Sequence, residues 1–207
     1  YNSIPAQYSH LYLCIAGVLS AVICIFDPLR REARDALKAL HECGFTNIVM
    51  MTGDSDRTAK AVAAKVGVDR YFSEVLPEDK AGYIREAKKN GHTVMMIGDG
   101  VNDSPALSEA DVGIAINSGA AIAKEIADVT ISSESLYNIV MLRRLSSALM
   151  DRIRGNYRFI VGFNLLLIIL GVGGVIMPTT SALLHNMSTL AIGLKSMTNL
   201  LPNETEE

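Results

Sequence analysis

From residue 28 to residue 131 the apolar positions alternate between two patterns: stripes at helical spacing and short unbroken runs. Leu29, Ala33, Leu37 and Leu40 fall on one helical stripe. Asp27 can cap that helix, Pro28 suits its first position, and Gly44 can close it in a left-handed conformation. A strand over 47–51 follows, then a helix over 57–66, a short strand over 71–75 and a helix starting near Pro77. Residues 93–97 form a continuous apolar run that opens into Gly98 and Asp99, as a central strand buried on both faces does. Val112–Ile116 and Val129–Ile131 add two short strands. This alternation, with short Gly-marked connections, predicts a parallel sheet with helices on both faces, a Rossmann-like α/β fold.

The two ends of the chain read differently. The run over 11–26 is apolar but contains Gly17 and Ser20 and falls short of the roughly 20 residues a membrane helix needs. It predicts two short buried strands joined at a turn. No basic region precedes it, so a signal peptide is not indicated and the N-terminus reads as an arbitrary cut. After Ser135 a long helical stretch carries Arg143, Arg144, Arg152, Arg154 and Arg158 toward the uncharged run over 159–177. That run can cross a hydrocarbon core of about 30 Å, and the arginines place its flank in the cytoplasm. The expected organisation is a domain over 1–140, a linker helix over 141–156, and a membrane hairpin with tail over 157–207. Its spans are expected at about 157–177 and 181–201, joined by a tight turn at Pro178-Thr179-Thr180 and followed by an acidic cytoplasmic tail.

Composition narrows the function classes. The 207 residues carry a formal net charge of −3, and their basic residues are spread over helix faces. No continuous basic stripe of the kind phosphate-backbone binding requires is present, so nucleic acid is not an expected partner. Cys14, Cys24 and Cys43 are widely spaced with no CxxC pair, which predicts reduced thiols and neither a disulfide framework nor a zinc site.

Three polar clusters fall where ligands of open α/β sheets bind, beyond the carboxyl ends of strands. Thr52-Gly53-Asp54 directly follows a strand, and a hydroxyl, a Gly and free amides at a helix start can together hold a phosphoryl oxygen. The bland reading of the same tripeptide is a helix cap. Lys80, in Leu76-Pro77-Glu78-Asp79-Lys80, stands near a helix start, where a solvated lysine is the plain alternative. The third cluster is the most specific: Gly98-Asp99-Gly100-Val101-Asn102-Asp103-Ser104-Pro105-Ala106-Leu107. Two acids and an amide in one Gly-containing loop repel one another without a cation, and such hard oxygen donors suit Mg²⁺. Hydroxyl loop, lysine and acidic loop are the parts needed to grip a phosphoryl group and its neutralising Mg²⁺. Asp54-Ser55-Asp56 could instead be read as the nucleophilic DxD of a phosphatase, but Thr52-Gly53 separate it from its strand.

In the apolar C-terminal part, Asn164 interrupts the first span and Gly171, Gly173 and Gly174 suit close helix packing. The returning segment carries His185, Asn186, Ser188, Thr189 and Lys195. Such groups are expensive in lipid unless they face a bundle interior or a cation path. Hydrogen bonding between helices is the equally weighted alternative, and Lys195 can snorkel to the interface.

The order TGD, then PEDK, then GDGVNDSPAL resembles the haloacid-dehalogenase-type phosphorylation domain of P-type ATPases, and Asp27-Pro28-Leu29-Arg30 is similar to their hinge segment. The resemblance covers nearly the whole chain. It implies that Thr52 and Gly53 contact an aspartyl phosphate, that Asp54 positions nucleotide or phosphate, and that Lys80 neutralises phosphoryl charge. It also implies that Asp99 ligates Mg²⁺, with Asn102 and Asp103 ordering the loop and Asp103 joining the Mg²⁺ site. ATP would be the substrate. Two spans after the domain resemble the heavy-metal branch, and His185-Asn186-x-Ser188-Thr189 is similar to polar motifs in its last span. With Asn164, these residues would form part of the path of a transported divalent cation such as Zn²⁺, Cd²⁺, Co²⁺ or Mn²⁺; the Met-rich pattern of copper pumps is not seen. The implied partners are the lipid bilayer and the nucleotide-binding domain, actuator domain and earlier membrane helices of the same pump. The family nucleophile lies in a DKTGT sequence that these residues do not contain. The chain alone is therefore not expected to turn over ATP. The competing readings are a truncated membrane-anchored module that binds Mg²⁺ and phosphate without catalysis, and a membrane phosphatase.

Overall fold

The structure, a computed structural model, describes residues 8–25, 28–98, 101–116, 125–131 and 135–201. It divides into two compact units, 1–140 and 141–207. In the first, β1 (Ser9–Ile15) and β2 (Val18–Ile25) form an antiparallel hairpin. Ala16 and Gly17 turn it with φ of 50° and 80°, the pair of positive values that suits the twist of a two-residue hairpin. The strands expected over 11–26 are present, but they are not buried. All eight residues of β2 are exposed, as are Leu11, Leu13 and Ile15 on β1. The reason is topological: the hairpin pairs only with itself among the described residues, and an isolated two-stranded ribbon has no second layer to bury against.

The first helix, α1 (Ala33–Glu42), starts at Glu32 and not near Pro28; Asp27, the expected cap, lies outside the described residues. Its buried stripe is Ala33, Ala36, Ala39 and Leu40, while Leu29 stays exposed. Small side chains at that spacing let the helix axis sit close to the sheet. It ends as the sequence suggests. Gly44 has φ +94°, its N–H donates to His41 O at 2.9 Å, and Phe45 N–H donates to Leu40 O at 3.2 Å, which satisfies carbonyls that the helix end would leave unpaired.

Five short parallel strands follow with helices between them. They are β3 (Val49–Met51), β4 (Arg70–Phe72), β5 (Met95–Gly98), β6 (Val112–Ile116) and β7 (Val129–Ile131). The intervening helices are α2 (Asp56–Val66), α3 (Pro77–Lys89) and, after a 3-10 turn at Val101–Asp103, α4 (Ser104–Glu109). Strand β3 pairs with β4, and β5, β6 and β7 pair in that order, all parallel. Helices cover both faces, and the period-2 alternation of β5 shows how. Met96 points to a cluster with Ile84 of α3 and Ala106 and Leu107 of α4. Met95 and Ile97 point to the other side, against Ala39 and Leu40 of α1 with Ile139 and Val140. Strand β3 serves the same two layers, with Met51 on the first and its neighbour Ile48 on the second. Within the described residues, β3 is hydrogen-bonded only to β4, and β5 only to β6.

One device repeats at the amino ends of these strands. Asp69, Asp111 and Asp128 each stand immediately before a strand, and each accepts a backbone N–H from the neighbouring strand or its lead-in. Ile48 N–H donates to Asp69 at 2.6 Å, Val94 N–H to Asp111 at 2.8 Å and Gly113 N–H to Asp128 at 2.8 Å. A charged acceptor satisfies an amide that strand pairing does not reach.

A single helix, α5 (Tyr137–Val172, 36 residues), runs on into the second unit and is followed by α6 (Pro178–Ser196). The turn between them lies at 173–177, not at Pro178-Thr179-Thr180. Gly174 has φ +72°, and Val175 N–H donates to Leu170 O at 2.9 Å. Of the glycines read as packing residues, Gly173 and Gly174 therefore follow the helix end, and Pro178 opens the next helix, where its missing N–H is not needed. Among the described residues, α5 is the one helix long and apolar enough to cross a membrane.

Candidate active site

The loop that leaves β3 lies against the loop that leaves β4. Thr52 N–H donates to Phe72 O at 3.0 Å, Val75 N–H donates to Thr52 O at 3.0 Å, and Glu74 N–H donates to Asp54 O at 2.9 Å. Glu74 adopts φ 54°, a left-handed conformation uncommon for a residue with a side chain. The Thr52 hydroxyl donates to Asp54 Oδ2 at 2.8 Å and accepts from Asp54 N–H at 3.1 Å. The loop is thus tied locally while its outer surface stays exposed. A Cβ on Gly53 would meet only Val75 O, at 3.8 Å, so the backbone there is open to close approach by a ligand.

Val75 leads through Leu76 into Pro77, the first residue of α3, and Lys80 sits one turn in. Its Nζ donates to Asp103 Oδ1 at 2.7 Å, with side-chain exposures of 17% and 11% for the two partners. Burial of this degree makes the two charges depend on each other, because neither is well solvated alone. Gly98 makes the contact possible: a Cβ there would lie 2.6 Å from Asp103 Cβ. Ser104 is also buried, and its hydroxyl has no hydrogen-bond partner among the described residues. Asn102 is exposed on the turn, and Asp99 lies outside the described residues.

Two of the three loops are therefore joined directly by backbone hydrogen bonds, and α3 carries Lys80 from the second of them to the third. What sequence reasoning missed is the Lys80–Asp103 pair. Its partners are 23 positions apart, and no spacing rule links them. Further from the site, Asp111 is held below the usual carboxylate range, first by the Val94 amide and then by Lys88, against an opposing effect of burial.

In the second unit the polar residues of the apolar region meet across an antiparallel helix pair. Asn164 Oδ1 lies 2.8 Å from His185 Nδ1, and Asn156 Nδ2 donates to Ser196 Oγ at 2.9 Å. Arg152 donates to the carbonyls of Ser196, Thr198 and Asn199 at 3.2, 2.6 and 2.8 Å, capping the end of α6. Ser188 and Thr189 both donate to His185 O, at 2.8 and 3.1 Å. Asn186 and Lys195 are exposed. Among the described residues no three His, Cys, Asp or Glu side chains gather as a metal-ligand group.

A parallel β arrangement covered by helices on both faces, with polar loops leaving the carboxyl ends of its strands, defines an α/β domain of the hydrolase type. A scan of protein families matches residues 6–111 to the haloacid dehalogenase-like hydrolases. The chain belongs to that family, and over most of its length it is homologous to metal-transporting P-type ATPases. It is 39% identical over 183 residues to a zinc-exporting P-type ATPase of Mycobacterium marinum, covering 88% of this chain and 25% of that protein. It is 40% identical over 195 residues to copper-transporting ATPase 2 of Rhizobium meliloti, covering 94% and 23%. A crystal structure of a zinc-transporting PIB-type ATPase in the E2.Pi state superposes with a TM-score of 0.81 at 27% identity, covering 93% of this chain and 32% of the other. The chain spans about a quarter of the length of the curated relatives it matches.

Proposed function

We propose that the chain is the C-terminal part of an ATP-driven pump that exports a transition-metal cation through an aspartyl-phosphate intermediate. Residues 1–140 would form part of its phosphorylation domain, 141–156 a linker helix, and 157–207 two membrane spans and a tail. The observation that carries this reading is the linked series of loops: the Thr52-Gly53-Asp54 loop bonded to Val75, Val75 leading into α3, and Lys80 of α3 paired with Asp103. A phosphoryl group held over Gly53 would find the Thr52 hydroxyl and neighbouring amides on one side and the Lys80 ammonium on another. Asp54 would position nucleotide or phosphate.

The acidic loop fits Mg²⁺ by the chemistry of its donors. Asp99, Asn102 and Asp103 offer carboxylate and amide oxygens and no soft ligand. Asp99 would hold the ion, with Asp103 beside it and Asn102 ordering the loop. Bound Mg²⁺ would supply charge neutralisation for the transferring phosphoryl group. The nucleophilic carboxylate would come from a part of the protein outside these 207 residues, so this chain would not hydrolyse ATP by itself.

Helix α5 and the returning α6 would cross the bilayer, with the first unit and the tail in the cytoplasm, as the arginines in the N-terminal half of α5 favour. His185, Asn186, Ser188 and Thr189 would line part of the cation path, with Asn164 facing them from α5. An imidazole surrounded by amide and hydroxyl oxygens favours a borderline divalent ion of the Zn²⁺, Cd²⁺, Co²⁺ and Mn²⁺ group over Cu⁺, which prefers sulfur.

The test uses the full-length protein in membranes and follows phosphoenzyme formed from radiolabelled ATP across a panel of metals. Stimulation by at least one of the four divalent ions is expected, and Asp99→Ala should abolish the Mg²⁺-dependent signal. Undiminished phosphoenzyme in that variant would overturn the role of the acidic loop.

A further inference from the structure

The His185 ring on α6 faces α5, where its Nδ1 lies 2.8 Å from Asn164 Oδ1. An amide oxygen only accepts hydrogen bonds, so this contact requires the proton to sit on Nδ1. In the uncharged ring, Nε2 then carries the lone pair. The backbone of the same turn is fixed independently. The His185 carbonyl receives the hydroxyl protons of Ser188 and Thr189, so both hydroxyls use their donors on their own helix and keep their oxygen lone pairs. Asn164 is half-buried while its neighbours Leu165 and Leu166 and the nearby Ile168 are exposed. A lone amide in so apolar a segment is retained where it has a fixed partner.

We propose that Asn164 is a positioning residue and not a cargo ligand: by accepting the Nδ1 proton of His185 it holds the imidazole in the tautomer whose Nε2 is available to a divalent transition-metal ion. This rests on the pump reading for the identity of the cargo class. The physical basis is general, since a ligating imidazole is oriented and made more basic by the acceptor that holds its other N–H. His185 then contributes one nitrogen to a site completed by oxygen donors of this turn or by other parts of the protein. Asn164 acts at one remove, through the ring.

Two measurements on the full-length protein in lipid nanodiscs test it. The first is ¹⁵N NMR of histidine-labelled, metal-free protein, with the His185 signals identified by their loss in His185→Ala. Parental protein is expected to show a protonated Nδ1 and a bare Nε2. Asn164→Asp, which keeps an acceptor, should preserve that state, and Asn164→Leu should shift it toward a protonated Nε2. The second is the metal concentration giving half-maximal phosphoenzyme from ATP. Asn164→Leu should raise it about 10- to 100-fold, and Asn164→Asp should leave it near or below the parental value. A protonated Nε2 in the parent overturns the proposal, as does Asn164→Leu with an unchanged ring. A flipped ring with an unchanged metal requirement overturns the ligand role of His185. Phosphoenzyme formed by the parental protein from inorganic phosphate without metal reports on the pump reading separately. Its complete absence would count against that reading, while the tautomer measurement would still decide the assignment of the Nδ1 proton.

Discussion

The Lys80–Asp103 contact sets the character of the site at the level of single residues. Two opposite charges at 2.7 Å, each largely removed from water, hold one another in place, and removing one strands the other. Lys80→Met should lower stability by about 3 kcal/mol, the usual penalty for leaving a buried charge unpaired. The double variant Lys80→Met with Asp103→Leu should lose less than the sum of the single losses. Denaturant unfolding of the four species measures this, and additive losses would show that the pair is not coupled. The sequence made each residue visible as candidate chemistry, since a lysine near a helix start and an acid in a Gly-containing loop both stand out. Their pairing stayed hidden because it arises from packing α3 against α4. The Gly98 requirement was likewise only half legible. A loop glycine was expected after the strand, but the 2.6 Å approach of Asp103 that demands it belongs to the fold.

At the scale of elements, the existence and order of strands and helices followed from apolar spacing, and their ends followed from local chemistry that the spacing does not carry. The start of α1 shows this. Pro28 and Leu29 extended the helical pattern toward the N-terminus, yet only the alanine stripe from Ala33 has a surface to bury against. The turn after α5 moved five residues upstream for a comparable reason, because Gly174 in a left-handed conformation ends a helix more effectively than a Pro that can open the next. The aspartates before β4, β6 and β7 were in plain view but unread, since their role depends on which strand lies alongside. Asp111 offers a pH test of that role. Its folded-state pKa is lowered, chiefly by the Val94 amide and then by Lys88. Its contribution to stability is therefore present above the unfolded carboxylate pKa of about 4 and is lost as pH falls through the lower folded value. Acid titration of unfolding should show a shallower loss of stability below about pH 4 in Asp111→Asn than in the parental protein. Parallel acid profiles would contradict the clamp.

For the whole molecule, two kinds of exposed apolar surface stand out. One is on the β1–β2 hairpin of the first unit. The other runs along α5, where Leu165, Ile168, Ile169 and Val172 are exposed. Only the second lies on a helix with the length and composition of a membrane span. The protein should remain with membranes after an alkaline carbonate wash. In the 207-residue chain expressed by itself, replacing both Ile168 and Ile169 with Asp should release a substantial share, because each carboxylate at mid-bilayer costs about 3 kcal/mol. Complete retention of that variant would argue against α5 as a span. The division into a charged part and an apolar part was clear from composition. The exposure of the hairpin was not, because an apolar strand reads as buried whether or not its cover belongs to the same stretch of sequence.

The bonding of β3 only to β4, and of β5 only to β6, within the described residues has a consequence for how such a protein can be assembled. Strand β5 and the segment 48–51 send side chains into the same two layers, and within the described residues β3 and β5 each keep one edge that no strand occupies. A free strand edge of this kind is where an extended segment adds to a sheet by β-augmentation.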